Sequence, residues 1–339
     1  MIKITMKIFK WLGKFLGIII LLLVLAGLSY RLFSSGPTAP GKLVDVNGTK
    51  LHIRAEGEKN ELPTLILESG AGGDTEMFHW IAENLKNEVR IIRYDREGKG
   101  FSEETEENIT PEFYAKQLHQ LLEKNGEKPP YILVGHSMGG PYNRIFRDLY
   151  PNEVKGMIFL DASHPEQWKR LAQKELYDKN KASFLKGVSF LGDIGLTGLY
   201  SQISSFKPKE DDLPEDCQKR NRELTAHSGK VYRRFLKEMA INDTILYRAG
   251  QSRDLDSLPV LVFTATEQYR EAQKKKYRKE GIDPEKQVQI WFEMQKELKE
   301  LSSNSEQFIM ESNHGSIITK KENADKISKK ILLMAEEIK

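Results

Sequence analysis

From residue 42 onward, two spacing patterns of apolar residues alternate along the chain. Short apolar runs, typical of buried strands, are separated by segments in which apolar residues recur every three or four positions, as in amphipathic helices. Asn47-Gly48, between the first two runs, indicates a β-hairpin. This order predicts an α/β fold, a mostly parallel eight-stranded sheet with helices on both faces. The predicted strands are 43–46, 50–54, 64–68, 89–94, 131–134, 157–160, 260–263 and 307–310.

The helical pattern is clearest in three places. It covers 113–123, it covers 142–149 before Pro151, and it returns in a C-terminal helix that ends at Ile338. Proline cannot continue a helix, so Pro151 defines the end of the second one.

A long insertion separates the sixth and seventh predicted strands. The segment 163–257 greatly exceeds an ordinary connection. Helices are expected over 167–177 and 231–249, with a glycine-rich apolar piece over 190–199 between them. We therefore expect 163–257 to form a helical cap.

The rest of the chain from residue 42 forms the expected core, 42–162 and 258–339. This core contains a second, highly charged insertion at 268–302. Its basic run over 274–279 is interpreted as a solvated helix face, with an anionic surface partner as the minor alternative.

The N-terminal segment has a different pattern, because Phe15–Tyr30 carries no charge and is flanked by Lys14 and Arg31. At 1.5 Å per residue this stretch spans roughly 24 Å, a little less than a hydrocarbon core. We expect 1–33 to be a transmembrane anchor or a signal segment, and 34–41 to be a linker. An uncleaved anchor is favoured because no clean cleavage site follows the apolar run.

The charges around this segment predict its orientation. Four lysines precede the apolar run and only Arg31 follows it closely, which favours a cytoplasmic N-terminus. The expected location is the cell membrane, with a single pass and an extracytoplasmic catalytic domain.

Composition excludes several classes of partner and site. The chain has 52 Lys and Arg against 49 Asp and Glu, a formal net charge of +3, which argues against a nucleic-acid partner. Cys217 is the single cysteine, so neither an intramolecular disulfide nor a zinc site with two thiolates can form. We predict no metal and no cofactor.

The motif Gly135-His136-Ser137-Met138-Gly139 follows an apolar strand and opens an amphipathic helix. In this setting G-x-S-x-G forms a strained turn that exposes the serine hydroxyl, and small residues are needed on both sides. Ser137 is therefore the predicted nucleophile; an incidental serine in a glycine turn is the alternative.

A serine nucleophile needs a base and an acid that orients the base. His314 follows the last predicted strand and is the last histidine in the chain, so it is the predicted base. Two acids compete, Asp161 at the end of 157–160 and Glu267 after 260–263. We favour Asp161, because it is short and lies directly at its strand end.

Acyl transfer also needs N–H donors for the developing oxyanion. The N–H of Met138 is one predicted donor. The glycine-rich loop 69–73 supplies the other, with Ala71 favoured and Gly72 next.

Three blocks of sequence, 68–73, 94–102 and 135–140, resemble the α/β-hydrolase superfamily, and the resemblance extends from about Leu43 to Ile338. The oxyanion loop departs from the commoner His-Gly start, since Ser69-Gly70 stands there. The resemblance implies an α/β-hydrolase fold in which the long insertion is a cap domain. Some members have the acid after the sixth strand, which agrees with Asp161. Caps vary widely, so the resemblance implies no particular substrate.

We therefore expect a serine hydrolase with a Ser137-His314-Asp161 triad, acting on a carboxylic ester. Its expected partners are a small-molecule or lipid-like acyl substrate and the membrane. The triad equally permits a peptidase, a thioesterase or a lactonase, and cofactor-free haloperoxidase or lyase chemistry is a further possibility. The alternative from another class is a non-catalytic ligand-binding or regulatory protein on the same fold.

Overall fold

The computed structural model describes residues 2–172, 179–203, 212–252, 254–269 and 271–339. Its strands are β1 (Lys42–Val46), β2 (Thr49–Glu56), β3 (Thr64–Glu68), β4 (Ile91–Tyr94), β5 (Tyr131–His136), β6 (Val154–Leu160), β7 (Val260–Glu267) and β8 (Ser305–Asn313). They form one sheet in the order β1-β2-β4-β3-β5-β6-β7-β8. The β1–β2 hairpin and the β2–β4 pair are antiparallel and the other pairs are parallel, which confirms the predicted fold class.

Helices cover both faces of the sheet and fill the two insertions. Their bounds are α1 (Ile2–Phe33), α2 (His79–Leu85), α3 (Phe113–Lys124), α4 (Gly139–Leu149), α5 (Gln167–Arg170), α6 (Lys179–Asp193), α7 (Leu196–Ile203), α8 (Glu215–His227), α9 (Lys230–Gly250), α10 (Glu271–Lys279), α11 (Pro284–Lys299), α12 (Ser316–Thr319) and α13 (Lys321–Glu337). A 3₁₀ turn, Thr75–Phe78, precedes α2. The sequence analysis did not predict this turn or α2.

Two hydrophobic clusters hold the helices to the sheet. On one face, Leu118 of α3, Phe146 of α4 and Leu246 of α9 pack with inward residues of the central strands. On the other face, Ile81 of α2 and Ile331 of α13 pack with the opposite side chains of the same strands. Burying each such side chain contributes about 1.5–3 kcal/mol, so these contacts stabilise the strands that carry the site.

The strand register brings three turns together at one edge of the sheet. His136 of β5 pairs with Leu160 of β6, and Leu160 pairs with Phe263 of β7. Further along, Glu267 of β7 pairs with Asn313 of β8. The residues that follow β5, β6 and β8 therefore share the carboxyl edge, where ligands bind in open parallel sheets.

The described part of the insertion between β6 and β7 consists mainly of the helices α5 to α9. The predicted helix over 231–249 is found as α9, and the glycine-rich piece belongs to α6 and α7. The predicted helix over 167–177 is found at Gln167–Arg170 and is interrupted at Leu171, which has an extended backbone. The part of this prediction that falls on 173–177 lies outside the described residues. The cap boundaries at 163 and 257 stay a prediction.

Helix α1 contains a segment, Lys7–Phe33, that is long and apolar enough to cross a membrane, and an 18-residue stretch of it has a mean hydropathy of 2.4. Only 6% of that stretch is buried within the protein. A core helix of a soluble protein would be mostly buried, so this helix is not part of the core. A signal sequence shares this length and composition, so the anchor stays a prediction.

Candidate active site

Ser137 lies on a tight turn between β5 and α4, with a φ of +53°. Non-glycine residues rarely adopt this left-handed conformation, and here it is fixed by backbone bonds from Ser137 N to Leu160 O and from Ser163 N to Ser137 O. A Cβ on Gly135 would lie 2.6 Å from the carbonyl carbon of Gly139, so the turn closes only with glycine at position 135. The result is a half-buried hydroxyl held above the end of the sheet.

His314 follows β8, and its Nδ1 lies 2.6 Å from Oδ2 of Asp161. Asp161 is fully buried, whereas the His314 side chain is 42% exposed. A buried carboxylate facing Nδ1 holds the imidazole in the tautomer that leaves Nε2 free to accept a proton. The structure thus brings two of the predicted triad residues into direct contact.

The Asp161 carboxylate is held from three further directions. Its Oδ1 accepts bonds from Ala265 N at 3.1 Å, Gln268 Nε2 at 3.1 Å and Trp291 Nε1 at 3.0 Å. Gln268 and Trp291 come from the charged insertion, and the sequence analysis missed both. A buried carboxylate needs hydrogen-bond donors, which was the one available indication that such residues exist.

Glu267, the competing acid, is exposed at the end of β7 and lines the cavity above Ser137. In the described part of the chain it forms no hydrogen bond with His314. The geometry therefore favours Asp161 as the acid partner.

Among the described residues, Ser137 Oγ forms no hydrogen bond with His314, although both side chains line the same cavity. Nucleophile–base bonds are often long in structures without substrate and tighten when substrate binds. The two groups therefore face a common space in which a reacting carbonyl can sit between them.

His136 directly precedes the serine nucleophile and contacts the backbone of His314, the predicted base. Its Nε2 lies 2.7 Å from the carbonyl oxygen of His314, and the two rings lie 4.6 Å apart. Burial, and then the nearby His314, lowers the pKa of His136 to about 3. The ring is therefore neutral near pH 7, and its Nε2–H donates to the His314 backbone.

Buried cations orient the loop that follows β3. Arg96 donates to Ser69 O at 2.6 Å and to Gly70 O at 2.9 Å, and Lys99 donates to Gly70 O at 3.3 Å. In a trans peptide the C=O and the following N–H point in opposite directions. Fixing Gly70 O thus also fixes the direction of the Ala71 N–H.

This loop lies directly on the nucleophile, since a Cβ on Gly70 would be 2.8 Å from Ser137 Cβ. Among the described residues, neither the Ala71 N–H nor the Met138 N–H donates a bond within the chain. Gly72 and Gly73 line the cavity, and Ala71 and Met138 are not among the residues that line it. The two predicted oxyanion donors are thus unpaired and close to Ser137.

Arg96 and Lys99 belong to a group of six buried charges whose signs balance. Glu238, from α9, lies 2.9 Å from Arg96 and 2.6 Å from Lys99. Burial alone would raise the pKa of Glu238, but Lys99 and Arg96 lower it to about 2. Burial, and then Arg96, lowers the pKa of Lys99 to about 8. The remaining pairs are Arg96 with Glu68 and Arg234 with Glu97.

A cavity of about 970 Å³ lies above Ser137. The core supplies Ser137, His314 and Lys99 to its wall, and the insertions supply apolar side chains such as Phe235 and Trp291. This volume suits a drug-sized or lipid-sized molecule.

A second cluster, Glu76, His79 and Cys217, joins α8 to the core, and its ligand atoms lie within 4.8 Å of one another. Arg220 already binds both oxygens of Glu76, at 2.9 and 3.0 Å. Burial, and then the Glu76 carboxylate, raises the pKa of the Cys217 thiol. A carboxylate paired with a guanidinium and a thiol held neutral make a poor metal site.

The comparisons with known proteins agree with this geometry. The family model for the alpha/beta hydrolase fold matches residues 63–190. Among curated proteins, YbdG of Bacillus subtilis, itself uncharacterised, is 28% identical over 171 residues, which cover 49% of this chain and 53% of the relative. A proline iminopeptidase of Lactobacillus helveticus is 28% identical over 170 residues, 48% of this chain and 56% of the relative. The chain thus spans about half the length of these relatives.

Solved structures extend the similarity over the whole sheet. MGS-M2, an alpha/beta hydrolase enzyme from a deep-sea metagenome of the Medee basin, matches with a TM-score of 0.57 and 18% identity, over 88% of this chain and 98% of that one. A carboxylesterase structure from Nitrososphaera gargenis matches with a TM-score of 0.58 and 18% identity, over 88% and 100%. At this identity the match shows the fold. With the sheet order and the serine turn at its carboxyl edge, these findings show that the chain has the α/β-hydrolase fold.

Proposed function

We propose that the protein is a serine hydrolase that cleaves a carboxylic ester through an acyl-enzyme on Ser137. The observation that carries this proposal is the 2.6 Å contact between buried Asp161 and His314 Nδ1, beside a serine held in a left-handed turn. A structural role alone does not require a strained serine, a base and an oriented acid in one place.

In the first half of the reaction, Ser137 Oγ attacks the ester carbonyl carbon and its proton passes to His314 Nε2. The carbonyl oxygen becomes an oxyanion that the N–H groups of Ala71 and Met138 stabilise. The bond to the leaving alcohol then breaks, and the alcohol takes the proton from His314.

In the second half, water attacks the acyl-enzyme while His314 accepts its proton. The bond to Ser137 breaks, the serine recovers its proton, and a carboxylic acid leaves. Asp161 stays ionised throughout and stabilises the imidazolium that forms twice in the cycle.

The same proposal includes the membrane. We take α1 to be an uncleaved anchor, because its apolar segment is almost entirely exposed and lysines precede it. This orientation makes the hydrolase extracytoplasmic and brings it close to the outer surface of the bilayer.

The test uses the full chain in detergent micelles, a fluorescent fluorophosphonate probe and the soluble ester 4-methylumbelliferyl acetate. Ser137→Ala removes the nucleophile, so labelling disappears and turnover falls by at least about 10⁴-fold. Ser163→Ala is the matched control, because Ser163 lines the same cavity and does not carry the reaction.

Labelling of Ser137→Ala at the wild-type level would overturn the proposal. Folded wild-type protein that neither labels nor turns over ester would favour the non-catalytic alternative. Tight binding of a small molecule without product would then identify that class.

A further inference from the structure

The outer end of α1 packs against the helical insertion. Gly27 is buried, and a Cβ there would lie 2.5 Å from the carbonyl oxygen of Ile194, in the turn between α6 and α7. From the other side, Gly195 faces the Gly27 backbone and Gly198 faces the Tyr30 ring. Small residues on both partners let the two backbones approach closely, as at interfaces between membrane helices.

Polar contacts begin where the apolar run ends. Arg31 donates to Asp193 O at 2.6 Å, and Tyr30 OH lies 3.5 Å from His227 Nε2. Tyrosine and arginine are typical of the level at which a span leaves the hydrocarbon and enters the headgroup region. With α1 as the anchor proposed above, the turn between α6 and α7 lies at the level of the outer bilayer surface.

The same two helices expose large apolar side chains. Phe190 of α6 is 63% exposed and Tyr200 of α7 is 60% exposed, and Phe184 and Leu191 of α6 are also exposed. The described part of the protein leaves these side chains uncovered, and α7 packs against α1. A bilayer is the occupant that fits, because α1 already enters the bilayer next to α7.

A cavity of about 700 Å³ opens at this junction. Its wall combines the end of α1, with Tyr30 and Phe33, and residues of α7 and α8, including Tyr200 and the polar Arg222. An apolar side and a polar side in one cavity match a molecule with a hydrocarbon chain and a polar headgroup.

The junction cavity adjoins the catalytic cavity. Asn221 and Thr225, one turn apart on α8, line both. These two residues therefore belong to the walls of both cavities.

We infer that the junction cavity is the entrance through which a bilayer-borne lipid ester, with an acyl chain and a polar headgroup, reaches Ser137. This inference rests on the proposed function and names its substrate class. The chemistry is unchanged: water is added across the acyl C–O bond, and a fatty acid and an alcohol are released. Soluble short esters reach Ser137 through the open mouth of the catalytic cavity and do not need this path.

The experiment compares two esters that share one leaving group. 4-Methylumbelliferyl oleate is embedded in vesicles of ether-linked phosphatidylcholine, which the enzyme cannot cleave, and 4-methylumbelliferyl acetate is supplied in solution. The full chain is reconstituted in those vesicles. The readout is the ratio of the oleate rate to the acetate rate.

Thr225→Trp fills the passage between the cavities, and the near-isosteric Thr225→Val is its control. We expect Thr225→Trp to lower the oleate-to-acetate ratio by at least about tenfold, and Thr225→Val to keep the ratio within about twofold of wild type. Ser201→Trp, at an exposed position of α7 that lines only the junction cavity, lowers the ratio in the same direction. This second variant decides the question if Thr225→Trp does not fold.

Wild-type ratios in the tryptophan variants that fold would overturn the inference. So would a wild-type protein that hydrolyses the acetate and leaves the vesicle-borne oleate intact. A wild-type protein that hydrolyses neither ester, with Ser137→Ala identical to it, would instead refute the proposed function, and the inference would fall with it.

Discussion

Replacing Asp161 by asparagine tests the assignment of the acid with almost no change in shape. Three donors converge on Oδ1 of Asp161, from Ala265, Gln268 and Trp291. An asparagine must therefore put its carbonyl oxygen at that position. Its NH₂ group then occupies the Oδ2 position and faces His314 Nδ1.

This orientation reverses the tautomer of the base. Because the NH₂ group can only donate, His314 Nδ1 must accept, and the ring proton moves to Nε2. A protonated Nε2 cannot take the proton of Ser137. We expect kcat to fall by about 10⁴-fold, equivalent to about 5.5 kcal/mol of transition-state stabilisation.

The assay is turnover of 4-methylumbelliferyl acetate, with thermal unfolding measured in parallel to verify folding. Glu267→Gln is the matched control, and we expect it to keep nearly wild-type kcat because Glu267 is exposed and does not contact His314. A folded Asp161→Asn protein that loses less than about tenfold would refute the reasoning. Loss confined to Glu267→Gln would make Glu267 the acid.

Two further substitutions test the groups around the triad. Glu238→Gln removes the anion shared by Arg96 and Lys99, so the free energy of unfolding falls by about 3–5 kcal/mol, measured by urea unfolding. Because the pKa of Glu238 is lowered to about 2, its stabilising effect is complete above the ordinary carboxyl pKa of 4.5 and is lost as the pH falls towards 2. Between pH 5 and pH 3, wild type should therefore lose stability more steeply than Glu238→Gln, and parallel declines would contradict the pairing. His136→Phe removes the bond to His314 O, so kcat on the soluble ester falls by about five- to tenfold with KM unchanged. An unchanged kcat in folded His136→Phe would show that His136 does not position the base.

The sheet could be predicted from the sequence because its signals are local. Each strand of the core is a short apolar run with turn residues at its ends, and β5 with the Ser137 turn carries both signals within a few residues. Ser137, Asp161 and His314 each closely follow a predicted strand, and this position suffices to bring their turns to one edge, since parallel strands share that edge.

The surroundings of the site depend on contacts far apart in the sequence. Arg96 and Glu238 are separated by 142 positions, and each alone resembles an ordinary surface charge. Trp291 donates to Asp161 from the second insertion, which the sequence identified only as highly charged. Helices α6 to α8 were not predicted individually because their apolar residues pack against α1 and α9 as well as against one another. Local periodicity does not encode such packing.

The buried ion pairs divide the insertion into a part that tolerates sequence exchange and a part that does not. Helix α9 carries Glu238, so exchanging it for the helix of a relative would leave Arg96 and Lys99 without their shared counter-ion and would disturb the loop that carries Ala71. Helix α7 does not pair with Arg96 or Lys99, since its described helix contacts are with α1, α6 and α8. An engineer who wishes to alter which molecules are accepted should therefore graft α7 and conserve α9. Natural divergence within this architecture is expected to follow the same boundary.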